Sequence, residues 1–262
     1  MFKKEIISIL GCGWYGLALA KALLADGYMV NGSTTSKEKL QLLAAANIKP
    51  YLVNFDRNSP PFDFEFFNCD VLFICIPPKS LTDYPFKIEA IVAAAEKAKI
   101  KHVVMISSIG VFQDANGIVN EMDTPKPTSE SGKALFAAEE IVRKRLVTAT
   151  IIRFGGLIGP NRDLAKYFAG KKDIPNGLAP INLIHLADCI GLSKIILRQK
   201  AFGHLYHGVS PDHPSRAAFY TKACLAAGMA KPEFIPELFD WKQVESVNVP
   251  GVLGYEWKVG FS

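Results

Sequence analysis

Hydrophobic and polar positions along the chain repeat in a pattern that predicts strands alternating with helices. The first apolar run begins at Ile6 and ends at Gly11. Leu17, Ala20 and Leu24 then recur on one face of a helix. Further strands are predicted at residues 28–33, 48–55, 70–76, 102–107, 148–153, 180–186 and 204–210, and further helices after residue 35 and at residues 86–98, 131–145, 187–198 and 214–228. This order is typical of an α/β fold with a parallel sheet between two layers of helices.

The first strand and helix are joined by Gly-Cys-Gly-Trp-Tyr-Gly at residues 11–16. Gly11 allows a tight turn, Gly13 lets the backbone approach a pyrophosphate, and Gly16 lets the helix pack closely on the strand. The helix N-terminus adds free N–H groups and the positive end of its dipole. A lone G-x-G-x-x-G is weakly specific, but this one lies between a strand and a helix, with a second strand after them. We predict a dinucleotide site formed by Gly11, Gly13, Trp14, Tyr15 and Gly16; the alternative is a glycine turn of another α/β protein.

The residues at the end of the second predicted strand indicate which dinucleotide binds. An enzyme that binds NAD usually carries Asp or Glu there, about 20 residues beyond the glycines, to hold the ribose 2′-hydroxyl. This chain instead carries four hydroxyl side chains and one lysine: Ser33, Thr34, Thr35, Ser36 and Lys37. Because a carboxylate would repel a 2′-phosphate, whereas hydroxyls and an ammonium group would bind it, we predict NADP rather than NAD. A second role is helix capping, with Thr35 as N-cap and Glu38 completing a capping box.

A further wall of the cofactor site is expected where the apolar strand at residues 70–76 ends. Ligands of a doubly wound sheet lie beyond the carboxyl ends of its strands. Ile76 and Pro77 are therefore predicted to line the adenosine half of the site. The alternative is that the proline only terminates the strand.

Composition and charge narrow the class of protein. The 262 residues are 49% hydrophobic, and the net charge is +5 with no long basic block, which favours small anionic ligands over nucleic acid. No apolar run approaches the roughly 20 residues of a membrane helix, and the first residues do not resemble a signal peptide. The five cysteines are scattered and lack metal-ligand spacing. We therefore predict no metal site, no membrane partner and a reduced, cytoplasmic compartment.

Four later segments resemble the extended short-chain dehydrogenase/reductases, the sugar epimerase and dehydratase group. Residues 107–112 (SSIGVF) resemble S-S-x-x-V-Y-G, and residues 125–139 (PKPTSESGKALFAAE) resemble P-x-S-x-Y-G-x-x-K-x-x-x-E. Residues 153–160 (RFGGLIGP) resemble R-x-x-x-x-Y-G-P, and residues 182–188 (NLIHLAD) resemble f-v-h-v-x-D. The nearest match is the atypical branch, the NAD(P)-dependent epimerase/dehydratase-like family. The resemblance implies a doubly wound parallel sheet of the NAD(P)-binding Rossmann kind, with Ser107 beside the cofactor and Ser108 as the carbonyl-binding, catalytic serine.

The chain departs from that family at its catalytic Tyr and Lys, whose positions hold Ser131 and Leu135. The family's chemistry needs a phenol whose pKa is lowered by a nearby ammonium group, and a serine with a leucine cannot supply it. Lys133 is two residues along a helix from Ser131 and points elsewhere. Tyr84 and His185 are the remaining acid/base candidates. The glycine loop is also one residue shorter than the family's G-x-x-G-x-x-G, a length that still suits a dinucleotide.

The strand–helix alternation loosens after about residue 155. We predict a dinucleotide-binding Rossmann domain at residues 1–155 and a mixed α/β remainder at residues 156–262. Part of that remainder, at about residues 181–210, is expected to return to the sheet, and the aromatic-rich end is expected to form a small C-terminal substrate lobe. Arg162, which follows Gly-Pro-Asn on a loop, is the predicted ligand of a substrate phosphate.

Three functional hypotheses fit these observations. The first is an NADP(H)-dependent oxidoreductase or epimerase/dehydratase that acts on a small polar or nucleotide-sugar substrate. The second is a non-catalytic NADP(H)-binding sensor or regulatory protein, which the absent Tyr/Lys pair favours. The third is a β-hydroxyacid-type dehydrogenase, which rests on the glycine spacing alone and lacks the long helical C-terminal domain. The expected partner is a small-molecule substrate, and a homodimer is the assembly considered.

Overall fold

A computed structural model describes residues 4–56, 62–78, 83–146 and 148–261. The strands of these residues are β1 (Ile6–Leu10), β2 (Met29–Thr34), β3 (Lys49–Leu52), β4 (Val71–Ile74), β5 (His102–Ser108), β6 (Gly117–Val119), β7 (Ala149–Phe154), β8 (Gly156–Ile158), β9 (Leu183–His185), β10 (Leu205–Gly208) and β11 (Lys242–Val244). The α-helices are α1 (Trp14–Ala25), α2 (Glu38–Ala45), α3 (Tyr84–Lys97), α4 (Glu130–Arg145), α5 (Leu186–Gln199) and α6 (Arg216–Ala226). None of the helices described is both long and apolar enough to cross a membrane.

Seven strands form a central sheet in the order β10-β7-β5-β4-β1-β2-β3. Every pairing within it is parallel. The chain runs outward from β1 to β3 and then returns to place β4 on the other side of β1. This reversal opens a crevice beyond the carboxyl ends of β1 and β4, where such sheets bind ligands. The arrangement confirms the predicted doubly wound, Rossmann-like fold.

Helices cover the sheet on both faces, and β4 shows how one apolar strand serves two cores. Phe73 points into the core formed with α1 and α5. Its neighbours Leu72 and Ile74 point into the core formed with α3 and α4. Because successive side chains of a strand alternate between faces, a strand buried on both faces must be apolar throughout. The continuous apolar run in the sequence follows from this two-sided burial.

The strand predicted at residues 180–186 is shorter in the structure and belongs to another sheet. β9 pairs in parallel with β8 in a two-stranded sheet, whereas β10 extends the central sheet. Two glycines allow the chain to approach β9 closely. The Gly156 amide donates to the carbonyl oxygen of Asn182 at 2.8 Å, and a Cβ on Gly155 would stand only 2.7 Å from the same oxygen.

The start of α2 differs from the predicted capping box. Lys37, not Thr35, occupies the N-cap position, and no side chain caps the helix there. The Thr34 hydroxyl oxygen instead accepts a hydrogen bond from the Ser36 amide at 3.1 Å, and the Lys39 amide donates to the Ser36 carbonyl. These local bonds form a turn between β2 and α2, so the predicted N-cap at Thr35 is wrong.

The aromatic residues near the end of the chain lie in two places. Phe234 packs with Tyr220 of α6 in a small third core. Tyr255 and Trp257 pack instead against the core shared by α1 and α5. The Tyr255 hydroxyl donates to the buried carboxylate of Asp188 at 2.8 Å, which ties this segment to the start of α5.

Candidate functional site

The glycine turn between β1 and α1 is held by its neighbour β2. The Gly11 amide donates to the Ser33 hydroxyl oxygen at 2.9 Å, and the Cys12 amide donates to the Ser33 carbonyl at 2.9 Å. Gly11 has a φ of +100°, which favours glycine. A Cβ on Gly16 would lie 2.3 Å from the Gly11 carbonyl oxygen, so glycine is required for this packing. The N-cap of α1 is Gly13, whose lack of a side chain leaves the amides of the first turn open to a ligand.

A cavity of about 310 Å³ opens beside this turn, beyond the carboxyl ends of β1, β2 and β4. Seven of the residues predicted to bind the cofactor line it: Gly11, Gly13, Ser33, Thr34, Thr35, Ile76 and Pro77. The structure adds polar residues that sequence reasoning did not select, among them Lys39, Asn54, Asp56 and Lys87. Lys87 forms an ion pair with Asp56 across the cavity wall. The cavity therefore combines an apolar strand end, the glycine turn, hydroxyl groups and the side chains of two lysines and an aspartate.

Two lysines at the start of α2 differ in their relation to this cavity. Lys39 lines it, whereas Lys37 occupies the N-cap position of α2 outside the lining. Ser36 also lies outside the lining, and its hydroxyl donates to the Glu38 carboxylate, which lowers the pKa of Glu38. Sequence reasoning missed Lys39 because it placed the helix start at Thr35. The structure therefore brings Lys39 to the side of the cavity where a 2′-phosphate was expected.

Among the predicted ligands, Tyr15 faces the protein interior. Its hydroxyl is 2.6 Å from the Ser193 hydroxyl of α5, and its ring meets Phe154 edge-on. Burial is the main reason why the pKa of Tyr15 is well above its ordinary value, and the phenol stays protonated. Gly16 likewise serves helix packing. Only the backbone amides of these two residues can face a ligand at the turn.

Two cysteines, Cys12 and Cys75, line the cavity as thiols. Burial raises the pKa of Cys12 to about 12 and also raises the pKa of Cys75 well above its ordinary value. A thiol that stays protonated at neutral pH is a poor nucleophile. Within the described ranges, His, Cys, Asp and Glu form no group of three or more that could hold a metal ion.

At the end of β5, Ser107 belongs to a buried polar cluster. Its hydroxyl donates to Glu139 of α4 at 2.5 Å. Arg153 of β7 donates to the same carboxylate from Nε at 3.1 Å and from Nη2 at 2.6 Å. The side chains of Arg153 and Glu139 are 1% and 0% exposed. Ser108, in contrast, is half-buried, and its hydroxyl oxygen accepts from the Gly110 amide at 3.1 Å.

His207 of β10 completes this cluster as a neutral side chain. Its Nδ1 donates to the carbonyl oxygen of Glu245 at 2.9 Å, and its Nε2 lies 3.4 Å from Nη1 of Arg153. Burial lowers the pKa of His207 to about 4, and the charge of Arg153 acts in the same direction. The Glu121 carboxylate accepts the His207 amide at 2.8 Å. In this cluster the polar groups of Ser107, Glu139, Arg153 and His207 bond to one another.

The acid/base candidates are also engaged elsewhere. Leu135 lies in the core between α3 and α4, while Ser131 is exposed beside Ser129, the N-cap of α4. The Tyr84 hydroxyl donates to the Ile76 carbonyl at 3.1 Å, and burial raises the pKa of this phenol. His185 caps α5, since its Nδ1 accepts from the Ala187 amide at 3.2 Å. Tyr84 and His185 thus hold backbone groups.

Arg162 lies next to the glycine turn. The turn that carries it is closed by a hydrogen bond from the Arg162 amide to the Gly159 carbonyl at 2.9 Å. The indole N–H of Trp14 donates to the Pro160 carbonyl at 2.9 Å. The Arg162 guanidinium lies over that indole, 5.2 Å from its ring centre. The predicted substrate ligand is therefore in contact with the first residue of α1.

Known proteins resemble this chain over most of its length. The family described as NAD(P)H-binding has a model that matches residues 11–190. Protein YeeZ of Escherichia coli (strain K12) is 30% identical over 263 residues, covering 96% of this chain and 95% of that protein. YeeZ and this chain are thus similar from end to end.

Two solved structures share the fold at low sequence identity. The UDP-glucuronic acid 4-epimerase of Bacillus cereus, in complex with UDP-glucuronic acid and NAD, has a TM-score of 0.81 at 17% identity, covering 98% of this chain and 95% of that chain. A short-chain dehydrogenase/reductase superfamily protein of Agrobacterium tumefaciens with bound NAD has a TM-score of 0.79 at 14% identity, covering 98% and 94%. At these identities the likeness concerns the fold alone.

Proposed function

The chain belongs to the NAD(P)H-binding family whose model matches residues 11–190, and from that premise we propose that it binds NADP(H) as an oxidoreductase or epimerase/dehydratase. The proposed substrate is a small polar molecule or a nucleotide sugar. One observation carries the proposal: the Gly11–Gly13 turn opens, with an uncapped helix behind it, onto a cavity that Lys39 also lines. A bound nicotinamide cofactor would supply hydride transfer, and the protein supplies its binding and orientation.

The residues of the cavity fit the parts of such a cofactor. The amides of the first turn of α1 suit a diphosphate, because they are unpaired donors at the positive end of a helix dipole. Thr34, Thr35 and Lys39 offer two hydroxyls and an ammonium group, which suit a 2′-phosphate. Ile76 and Pro77 offer an apolar wall for the adenosine. Ser33 would act indirectly, since its hydroxyl holds the Gly11 amide.

The nucleotide-sugar hypothesis draws support from the structural likeness to a UDP-glucuronic acid 4-epimerase in complex with UDP-glucuronic acid and NAD. Within this chain, Ser108 stands at the end of β5 with a half-buried hydroxyl that can still donate a hydrogen bond to a substrate oxygen. The free cysteines of the chain support a reducing, cytoplasmic compartment.

The second candidate is a non-catalytic NADP(H)-binding sensor. The observation that favours it is the engagement of the acid/base candidates Tyr84 and His185 in bonds to backbone groups. Leu135, at the position of the family's lysine, is also buried in the core. A screen of NADPH consumption with UDP-sugars and simple aldehydes separates the two. Turnover that is lost in Ser108→Ala supports the enzyme, while tight NADPH binding without turnover supports the sensor.

Cofactor preference is tested with Lys39→Ala and a matched control, Lys37→Ala. Both remove one lysine from the start of α2, but only Lys39 lines the cavity. We expect Lys39→Ala to weaken NADPH binding about tenfold, the loss of one charge-assisted contact, and to leave NADH binding unchanged. Lys37→Ala should change neither. Tighter binding of NADH than NADPH by the unmodified protein, measured by calorimetric titration, would contradict the NADP assignment.

A further inference from the structure

The Arg162 side chain is exposed, yet it is held in place. Its guanidinium stacks on the indole of Trp14 at 5.2 Å, and no carboxylate in the described part of the chain lies within ion-pair distance of it. A stacked guanidinium keeps its N–H groups available around its edge, because the ring contacts only its face. The side chain therefore presents a positive charge whose hydrogen-bond donors are free for an anion.

The backbone that carries Arg162 is fixed as firmly as its side chain. Residues 159–162 form a turn with Pro160 and Asn161 at its centre, and Asn161 has a φ of +62°, as a type II turn requires. The Trp14 indole N–H bonds to the Pro160 carbonyl at 2.9 Å, which joins the turn to the start of α1. Gly159 lies against the same indole, since a Cβ there would be 3.4 Å from its ring. The turn and the glycine loop thus form one unit.

We propose that Arg162, stacked on Trp14, binds the diphosphate of the cofactor and so positions the dinucleotide, rather than binding a phosphate of the substrate. This inference rests on the proposed function. Its basis is that Trp14 is the first residue of α1, directly after the N-cap Gly13, so the guanidinium lies over the side chain of the residue that opens the helix whose amides would receive the diphosphate. Neither Arg162 nor Trp14 lines the cavity itself, so the proposal places the diphosphate at the edge of the cavity toward α1.

Charge supports the diphosphate assignment. The bridge of a dinucleotide carries two negative charges, and the glycine turn offers only backbone amides to it. The lysines that line the cavity are Lys39, on the side of Thr34 and Thr35, and Lys87, whose charge is shared with Asp56. Arg162 lies over the indole of Trp14, the residue after the turn's Gly13, and can form the bidentate hydrogen bonds that suit phosphate oxygens.

The test compares two ligands in Arg162→Ala and Arg162→Lys. NADPH contains the diphosphate bridge, whereas adenosine 2′-monophosphate keeps the adenosine and the 2′-phosphate but lacks both phosphates of the bridge. We expect Arg162→Ala to weaken NADPH binding about tenfold while adenosine 2′-monophosphate binds within about twofold of the unmodified protein. Arg162→Lys should recover part of the loss, because an ammonium group keeps the positive charge but lacks the paired N–H donors of a guanidinium. Arg143→Ala, which removes an exposed charge from α4, is the control.

The fluorescence of Trp14 gives a second measurement. Its response to the ligand would not depend on Arg162 if that residue had a purely structural role. Titration with NADP⁺ should change the indole emission, because the diphosphate would bind the guanidinium that lies over the ring. Trp14→Phe should remove that change although Trp241 and Trp257 are retained. The same titration of Arg162→Ala should show a smaller change at full occupancy.

Two results would overturn the inference while the proposed function stands: unchanged NADPH affinity in Arg162→Ala, or an equal loss of affinity for NADPH and adenosine 2′-monophosphate. The first result together with a raised KM for substrate would assign Arg162 to the substrate instead. Absence of NADPH binding by the unmodified protein at millimolar concentration would overturn both proposals.

Discussion

Two stretches of the same sheet edge use polar residues in opposite ways. Beyond β1, β2 and β4, the glycine turn and Lys39 line an open cavity. Beyond β5, β7 and β10, Ser107, Glu139 and Arg153 bond to one another inside the protein. Both stretches lie where a doubly wound sheet binds ligands. The difference teaches that the groups proposed to hold a dinucleotide surround an open cavity, whereas the polar groups near the expected catalytic position bond to one another within the fold.

The largest expected effect comes from a substitution in the buried cluster of Ser107, Glu139 and Arg153. Glu139→Gln leaves the buried charge of Arg153 without its counter-charge, and we expect a loss of about 3–5 kcal/mol in the free energy of unfolding. Glu130→Gln is the matched control, since Glu130 pairs with Lys133 on the surface, where such a pair contributes less than about 1 kcal/mol. Urea denaturation followed by circular dichroism measures both. Similar losses in the two variants would show that the cluster does not stabilise the fold.

The next effect concerns the pH dependence of stability. His207 has a pKa of about 4 in the folded protein, below its ordinary value of 6.5, so the unfolded chain binds more protons between these values. The stability that neutral His207 contributes is complete above about pH 6.5, falls as the pH drops toward 4, and amounts to about 3 kcal/mol.

The measurement is urea denaturation between pH 7 and 4.5. The His207→Gln variant should lose less stability over this interval than the unmodified protein, because one protonation step is removed. The control, His204→Gln, removes an exposed histidine and should keep the original slope. Parallel pH profiles for all three proteins would refute the buried, neutral state of His207.

The smallest expected effect comes from a substitution in the glycine turn beside the open cavity. Gly16→Ala places a methyl group 2.3 Å from the Gly11 carbonyl oxygen, and because this atom belongs to the backbone it cannot move aside as the end of a flexible side chain could. We expect NADPH affinity to fall at least about tenfold, or 1.4 kcal/mol. Gly251→Ala is the control, because a Cβ there meets nothing within 4 Å. Equal NADPH affinity in the two variants, by fluorescence titration, would show that the turn is not the binding element.

The glycine turn could be predicted from sequence because its determinants are local. The spacing of Gly11, Gly13 and Gly16 fixes a strand–turn–helix unit, and the structure confirms a doubly wound sheet around it. The predicted NAD(P)-binding family is likewise confirmed, and the fold is shared with a short-chain dehydrogenase/reductase superfamily protein. In these cases neighbouring residues carry the information.

Details that depend on distant partners could not be predicted. The position of Ser33 in the sequence predicts a contact with the 2′-phosphate, but its hydroxyl accepts a hydrogen bond from the Gly11 amide, 22 residues away. The choice between Lys37 and Lys39 depends on a helix boundary, the least certain feature of a sequence pattern. β6 and β11 pair across more than a hundred residues, and neither has a periodic signal of its own.

The buried cluster shows the same limit. Glu139 and Arg153 both stand within the motifs that carried the resemblance, yet their pairing joins α4 to β7 and is visible only in the fold. A salt bridge within the fold is the use that we observe for Arg153. Because Arg153 and Ser107 both donate to Glu139, the polar groups at this end of the sheet are bonded to one another.

Two hydrogen bonds tie the first helix to late parts of the chain: Trp14 to Pro160, 146 residues apart, and Tyr15 to Ser193, 178 residues apart. The chain leaves the ribosome with its N-terminus first, so the glycine turn emerges long before Pro160 or Ser193. Until α5 has been synthesised, the inner face of α1 has no helix to pack against. We therefore expect capture of the nucleotide to be a late event of translation, with ribosome-bound chains shorter than residue 193 unable to retain it.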